Sequence, residues 1–263
     1  PSKTVAQLSE VLAPRGFDVM QGVTGSSDAP PYTVEAGSAI GIGLMTGDFS
    51  ATGGGTITYV DGDRYLPFGH PMFGDGKVDL PATYMDVADF VVQDGDLAEK
   101  LLLPIDAEPM GSVTQDRNQA IGGTLGTTAP TFPVSLSVDF PARGIAHTYN
   151  VRVATDEFFA PMMCAMASVS ALGEYLMASE DYMVTSTIRA TSVTGKTMEL
   201  AAQEYTGSGS VSGAMMLTMD AVSLFMTNVF SPEDMAGVHM DFQIEERKAS
   251  AQLLRMELDD WVV

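Results

Sequence analysis

The chain has 263 residues, 45% of them apolar and 18% charged, with a formal net charge of −21. That apolar content suffices to bury one large core or two modest ones, and it excludes a disordered chain. With 13 basic residues against 34 acidic ones, the surface repels nucleic acid and anionic membranes, so neither is an expected partner.

In chain order, Thr4–Leu12 reads as a short helix with Val5, Leu8, Val11 and Leu12 on one face, stopped by Pro14 and Gly16. Phe17–Met20 reads as a strand, followed by the turn-rich loop GVTGSSDAPP. From Ala39 to about Val153 short strands are divided by Gly, Asp and Pro. AIGIGLM, SATGGGTITYV and RYLPFG come first, joined by TGD and DGD turns. Further strands are predicted at Tyr84–Gln93, Lys100–Ile105, Gly111–Thr114, Ala120–Leu125, Pro133–Phe140 and Ala146–Ala154. Such spacing predicts a barrel or sandwich, and the glycines at 41, 43, 53, 54 and 55 fit bends or close backbone approach.

After Val153 the pattern changes. Asp156–Met177 reads as a helix, with Thr155 or Asp156 as its cap. Tyr182–Ser192 and Lys196–Tyr205 alternate across a TG turn and form a hairpin. Ser210–Val229 reads as a second helix, and Val238–Glu246 and Ala251–Val262 as closing strands. The predicted order β-α-β-β-α-β-β is a compact α+β module with two helices on one face of an antiparallel sheet. Asp220 and Asn228 interrupt the longest apolar helix, so no membrane span is expected.

Cys164 cannot form an intrachain disulfide, and among Met162, Met163 and Met166 it reads as a buried structural thiol. His70, His147 and His239 are far apart and lack HxH or HExxH spacing, so no zinc site is predicted. GGG at 53–55 lacks the GK[ST] of a phosphate loop, and DGDRYLPFG lacks the acidic spacing of a calcium loop. No cofactor is implied.

The sharpest local feature is GDFSATGGGTITYVDGDRYLPFGHPM, residues 47–72, which delivers His70 to a strand end between Gly69 and Pro71. A general base needs such a rigid, partly open place. The run GTITYVDGDRYLPFGHPM, then KVDLPAT, then GSVTQDRNQAIGGTLG, resembles the SpoIVB-type serine peptidase family, especially its larger bacterial members outside the spore formers. TDEFFAPMMCAMASVSALGEYL and the elements after it carry the resemblance on, so it covers about Leu8 to Val263.

The resemblance implies a chymotrypsin-like or incomplete β-barrel, with His70 as general base of a Ser-His-acid triad. Asp79 in KVDLPAT is the first choice for the acid. Asp116 in TQDR and Asp75 in FGDG are the alternatives, with the plain roles of pairing Arg117 on the surface and shaping a turn. The family's nucleophile lies in a Ser-Gly-Ser-Pro block, which does not occur in this sequence. In the members most similar to this chain that block precedes the histidine region, so it is expected upstream of Pro1. A first residue other than Met is read as the mark of a processed or excised piece. The serines of GSSDAPP lack the block, and Ser210 and Ser212 in TGSGSVSG read as helix-start chemistry, because Val211 takes the nucleophile's place in the G-x-S-x-G pattern.

The expected architecture is therefore mainly β with an α+β module: a leader at 1–30, a peptidase-like barrel core at 31–150 and the module at 151–263. Two functions are expected from it. One is an extracytoplasmic serine peptidase region, secreted, periplasmic or at the cell surface, acting on a peptide or protein substrate. The other is a non-catalytic relative serving as a surface, scaffold or self-assembling protein. The expected partner is the upstream fragment of the same precursor or further copies of this chain.

Overall fold

The computed structural model describes residues 27–92, 98–105, 108–176, 180–207 and 211–247. The helix and strand expected at Thr4–Leu12 and Phe17–Met20, the closing strand at Ala251–Val262, and Ser210 lie outside the described residues.

The protein is mainly β. The strands are β1 (Ala39–Gly47), β2 (Ala51–Thr56), β3 (Tyr59–Asp61), β4 (Arg64–Leu66), β5 (Gly76–Val92), β6 (Ala98–Pro104), β7 (Gly111–Arg117), β8 (Ala120–Leu125), β9 (Thr131–Phe140) and β10 (Ile145–Ala154). After β10 come α1 (Phe159–Gly173), β11 (Tyr182–Ser192), β12 (Thr197–Thr206), α2 (Ser212–Met226) and β13 (Met235–Glu246). Among the described residues, no helix is long and apolar enough to cross a membrane.

One hydrogen-bonded path runs β12-β11-β13-β9-β10-β1-β5-β7-β8-β4-β3, with β2 on β1 and β6 on β5. β1 is the junction. Ile40–Ile42 pair with β2 and β5, and Met45 pairs with β2 and β10, so β5 and β10 meet the same edge of β1 one after the other. The sheet forks there. β1 is buried on both faces, which is why it reads as a continuous apolar run rather than an alternating one. β10 straddles the boundary expected at residue 150, and one core cluster takes side chains from both sides of it.

In β9, β11 and β13 buried and less buried residues alternate. Val134, Leu136, Val138, Val184, Ile188, Met240, Phe242 and Ile244 are buried together with the inner residues of α1 and α2. Ser135, Ser137, Thr187, Arg189, His239 and Asp241 belong to the opposite, solvent-reached face. The expected antiparallel sheet is in fact mixed. β13 runs antiparallel to β11 but parallel to β9, with His239 opposite Ser135. The connection from β9 to β13 passes through two helices and a hairpin, which is long enough for a parallel return.

Both helices start on a carboxylate. Asp156 Oδ1 accepts the N–H groups of Phe158 at 3.0 Å and Phe159 at 2.9 Å. At α2 the carboxylate comes from another element: Glu204 of β12 accepts the N–H groups of Gly213 at 2.8 Å and Ala214 at 3.1 Å. These are orphan donors at the positive end of the helix dipole. Glu204→Ala is expected to cost about 1 kcal/mol, as losing a helix cap does, and Glu204→Gln less. Thermal unfolding checks this, and equal midpoints for Ala and wild type would show that water replaces the cap.

Candidate functional site

His70 stands on the loop between β4 and β5. The loop is held at three points. Phe68 is buried, and its carbonyl accepts the Ile121 N–H of β8 at 3.2 Å. Asp116, 3% exposed, accepts backbone N–H groups of Met72 at 2.9 Å, Phe73 at 2.7 Å and Gly74 at 2.9 Å. The Phe73 ring packs 4.3 Å from that of Phe159 at the start of α1. This corrects the surface pairing of Asp116 with Arg117: Asp116 is turned inward under the loop, and Arg117 Nε donates to Gln115 instead.

The His70 ring is exposed and stacks on Phe68 at 5.6 Å with 19° between planes. Its Nδ1–H donates to the Pro71 carbonyl at 2.8 Å. A carbonyl oxygen only accepts, so the proton of the neutral ring is on Nδ1 and the lone pair is on Nε2. Next to the ring is a recess of about 340 Å³, lined by Gly54, Gly55, Thr56, Phe68, Gly69 and His70. The GGG of β2 thus has a packing reason: a Cβ on Gly55 would stand 1.9 Å from Phe68 Cε1.

Asp79 lies in β5 at a register shift between Lys77 and Leu80. It is exposed, and partial desolvation pushes its carboxyl pKa up against the pull of the Lys77 ammonium. Among the described residues His70 forms no ion pair with Asp79 or any other carboxylate. Asp75 is exposed between Gly74 (φ 82) and Gly76 (φ 83), where glycines allow the turn. The loop serine Ser27 donates to Asp86 Oδ2 at 2.7 Å, and Ser212 is the first residue of α2. Cys164 is fully buried, and burial pushes its thiol pKa up, so it stays protonated and inert.

A second constellation lies on the open face of the sheet, where sequence reasoning had set His239 aside. Ser135 Oγ is 2.6 Å from His239 Nδ1, and His239 Nε2 is 3.1 Å from Asp241 Oδ1. Ser135 and His239 are 104 residues apart, and no local motif announces them. The one available signal is alternation, which puts 135 and 137 on one face of β9 and 239 and 241 on one face of β13. Among the described residues, no group of three His, Cys, Asp or Glu side chains is arranged to hold a metal ion.

A scan against protein-family models finds no match. Searches of curated proteins and of solved structures find no significant similarity either.

Proposed function

We propose that this chain carries the histidine-bearing part of a SpoIVB-type serine peptidase, with a chymotrypsin-like or incomplete barrel over residues 31–150. His70 is the general base, and the nucleophile serine comes from polypeptide outside this sequence. One observation carries the reading. The Pro71 carbonyl holds Nδ1–H at 2.8 Å, which leaves Nε2 as the acceptor on an exposed ring beside a glycine-lined recess. That is the tautomer a base needs before it takes a serine proton. Asp79 is the proposed acid; within this chain the Pro71 carbonyl, not a carboxylate, holds Nδ1–H. The acidic surface favours an extracytoplasmic location, and the upstream part of the same precursor is the proposed partner.

The test uses a precursor that includes the segment preceding Pro1. A fluorophosphonate is expected to label a serine in that segment, and His70→Gln is expected to slow labelling by roughly 10²–10⁴-fold, the usual worth of a general base. Asp79→Asn is expected to lower kcat with KM unchanged if it orients the ring. An upstream segment without a reactive serine, or labelling indifferent to His70→Gln, overturns the reading.

A second reading has its own observation. Met216 and Leu224 of α2, with Val229 and Phe230 after it, are exposed, the last two at 88% and 95%. Such an apolar surface suits a non-catalytic relative that works as a scaffold or assembles with its own copies.

A further inference from the structure

The open face of the sheet carries its own acyl-transfer arrangement. Register brings it together. Across the strands, Arg189 of β11 stands opposite His239 of β13, His239 opposite Ser135 of β9, and Ser135 opposite Asn150 of β10. All four line one groove of about 610 Å³. One residue row away, Thr191 pairs with Gly237 and Pro133 with Arg152. Gly237 lines the same groove without a side chain, and a Cβ there would meet the Pro133 carbonyl oxygen at 3.3 Å.

We propose that Ser135 is a nucleophile for ester hydrolysis, with His239 as its base, Asp241 as the group that orients the base and the Asn150 amide as oxyanion donor. Three relations required of such a site are present. The nucleophile and base are 2.6 Å apart, the base and carboxylate are 3.1 Å apart, and an amide stands across one strand spacing from the nucleophile. An ionised carboxylate only accepts, so His239 Nε2 carries the hydrogen and Nδ1 is free to accept from Ser135. The ring nitrogens have exchanged the roles they take in chymotrypsin, but the chain of donors and acceptors is the same. Ser135, His239 and Asp241 are all half-buried, so reagent can reach them.

The chemistry closes on these residues and water. Ser135 Oγ attacks the ester carbonyl, and its proton passes to His239 Nδ1. The carbonyl oxygen becomes an oxyanion facing the Asn150 amide. Collapse breaks the bond to the alcohol, which leaves with the proton from His239. Water then attacks the acyl-serine, giving one proton to His239, and Ser135 Oγ recovers that proton as the acid leaves. Asp241 stays ionised throughout.

The groove also selects its acyl group. Arg152 donates from Nε and Nη2 to Thr131 and has no carboxylate partner among the described residues. Arg189, already paired with Glu199, stands on the other side of the groove. In a chain with 34 acidic residues against 13 basic ones, guanidinium groups on both sides of one groove favour an acyl group that itself carries a carboxylate.

The folded chain, treated with a fluorophosphonate and mapped by mass spectrometry, is expected to carry the adduct on Ser135. His239→Gln should slow labelling at least 10²-fold and Asp241→Asn at least 10-fold, while His147→Gln, at an exposed histidine outside both sites, changes nothing. These positions face solvent, and circular dichroism checks that the variants fold. Mono-p-nitrophenyl succinate should be cleaved at least 10-fold faster than p-nitrophenyl acetate, with the preference lost in Arg152→Gln. Absence of an adduct on Ser135 in the folded wild-type chain overturns the nucleophile. Equal rates on the two esters overturn the assigned substrate class.

Discussion

Asp116→Ala is expected to lower the unfolding midpoint by roughly 6–12 °C. The carboxylate accepts three backbone N–H groups, from Met72, Phe73 and Gly74. Removing it leaves donors that the short loop cannot turn toward other protein acceptors. An unsatisfied buried donor costs about 1–3 kcal/mol. Gly74 is exposed and finds water, and Met72 and Phe73 are half-buried, so the net cost is about 3 kcal/mol. At about 2–4 °C per kcal/mol for a protein of this size, the stated shift follows. Asp116→Asn should fall between, since its amide keeps one acceptor and turns an NH2 toward an N–H. His70 sits two residues before Met72, so Asp116→Ala should also weaken any His70-dependent labelling in the precursor. Differential scanning calorimetry decides the stability part, and a shift under 2 °C would mean that the Phe68–Ile121 hydrogen bond and the Phe73–Phe159 contact suffice to hold the loop.

The second large effect is expected at Gly55. An alanine Cβ would stand 1.9, 2.5 and 2.8 Å from three carbons of the Phe68 ring. Phe68 is 8% exposed, and its ring stacks on His70 at 5.6 Å, so a displaced ring disturbs the imidazole. Overpacking of this kind costs about 1–3 kcal/mol. A displacement of 1 Å at a reacting group can cost about 10²-fold in rate, so Gly55→Ala should impair His70 more than it impairs folding. Gly54→Ala is the control. Its Cβ meets Leu102 Cδ1 at 2.5 Å, the far end of a side chain that can rotate away. Gly54→Ala should therefore be close to neutral for labelling. Equal losses in the two variants would show that the Phe68–His70 stack does not position the imidazole.

Some elements of this fold were legible because their information is local. Alternation identifies β9, β10, β11 and β13, since a strand with one wet face repeats every two residues. The helix expected at Asp156–Met177 is observed as Phe159–Gly173, and the one expected at Ser210–Val229 as Ser212–Met226. β5 was expected to begin at Tyr84 but begins at Gly76. Pro81 and the register shift between Lys77 and Leu80 break the local pattern there, while β7 still pairs with Pro81 through Ser112. Of the site, the sequence singled out His70, but the strand expected to deliver it, RYLPFG, ends at Leu66 and leaves it on a loop. Its backbone orienter was not legible, because a carbonyl carries no sequence signature.

By itself, then, the sequence determined a mainly β chain, the order of its later helices and strands, and a buried Cys164. Periodicity and turn chemistry record which side of each element meets water. Tertiary structure decided three further things. Asp116 went inward as an anchor instead of outward to Arg117. The sheet forked at β1, which lets the His70 loop lie against α1. And β13 came to lie parallel to β9, which set His239 against Ser135. Each of these depends on partners tens of residues away, and such pairings are selected by the burial of the whole sheet, which no local window contains.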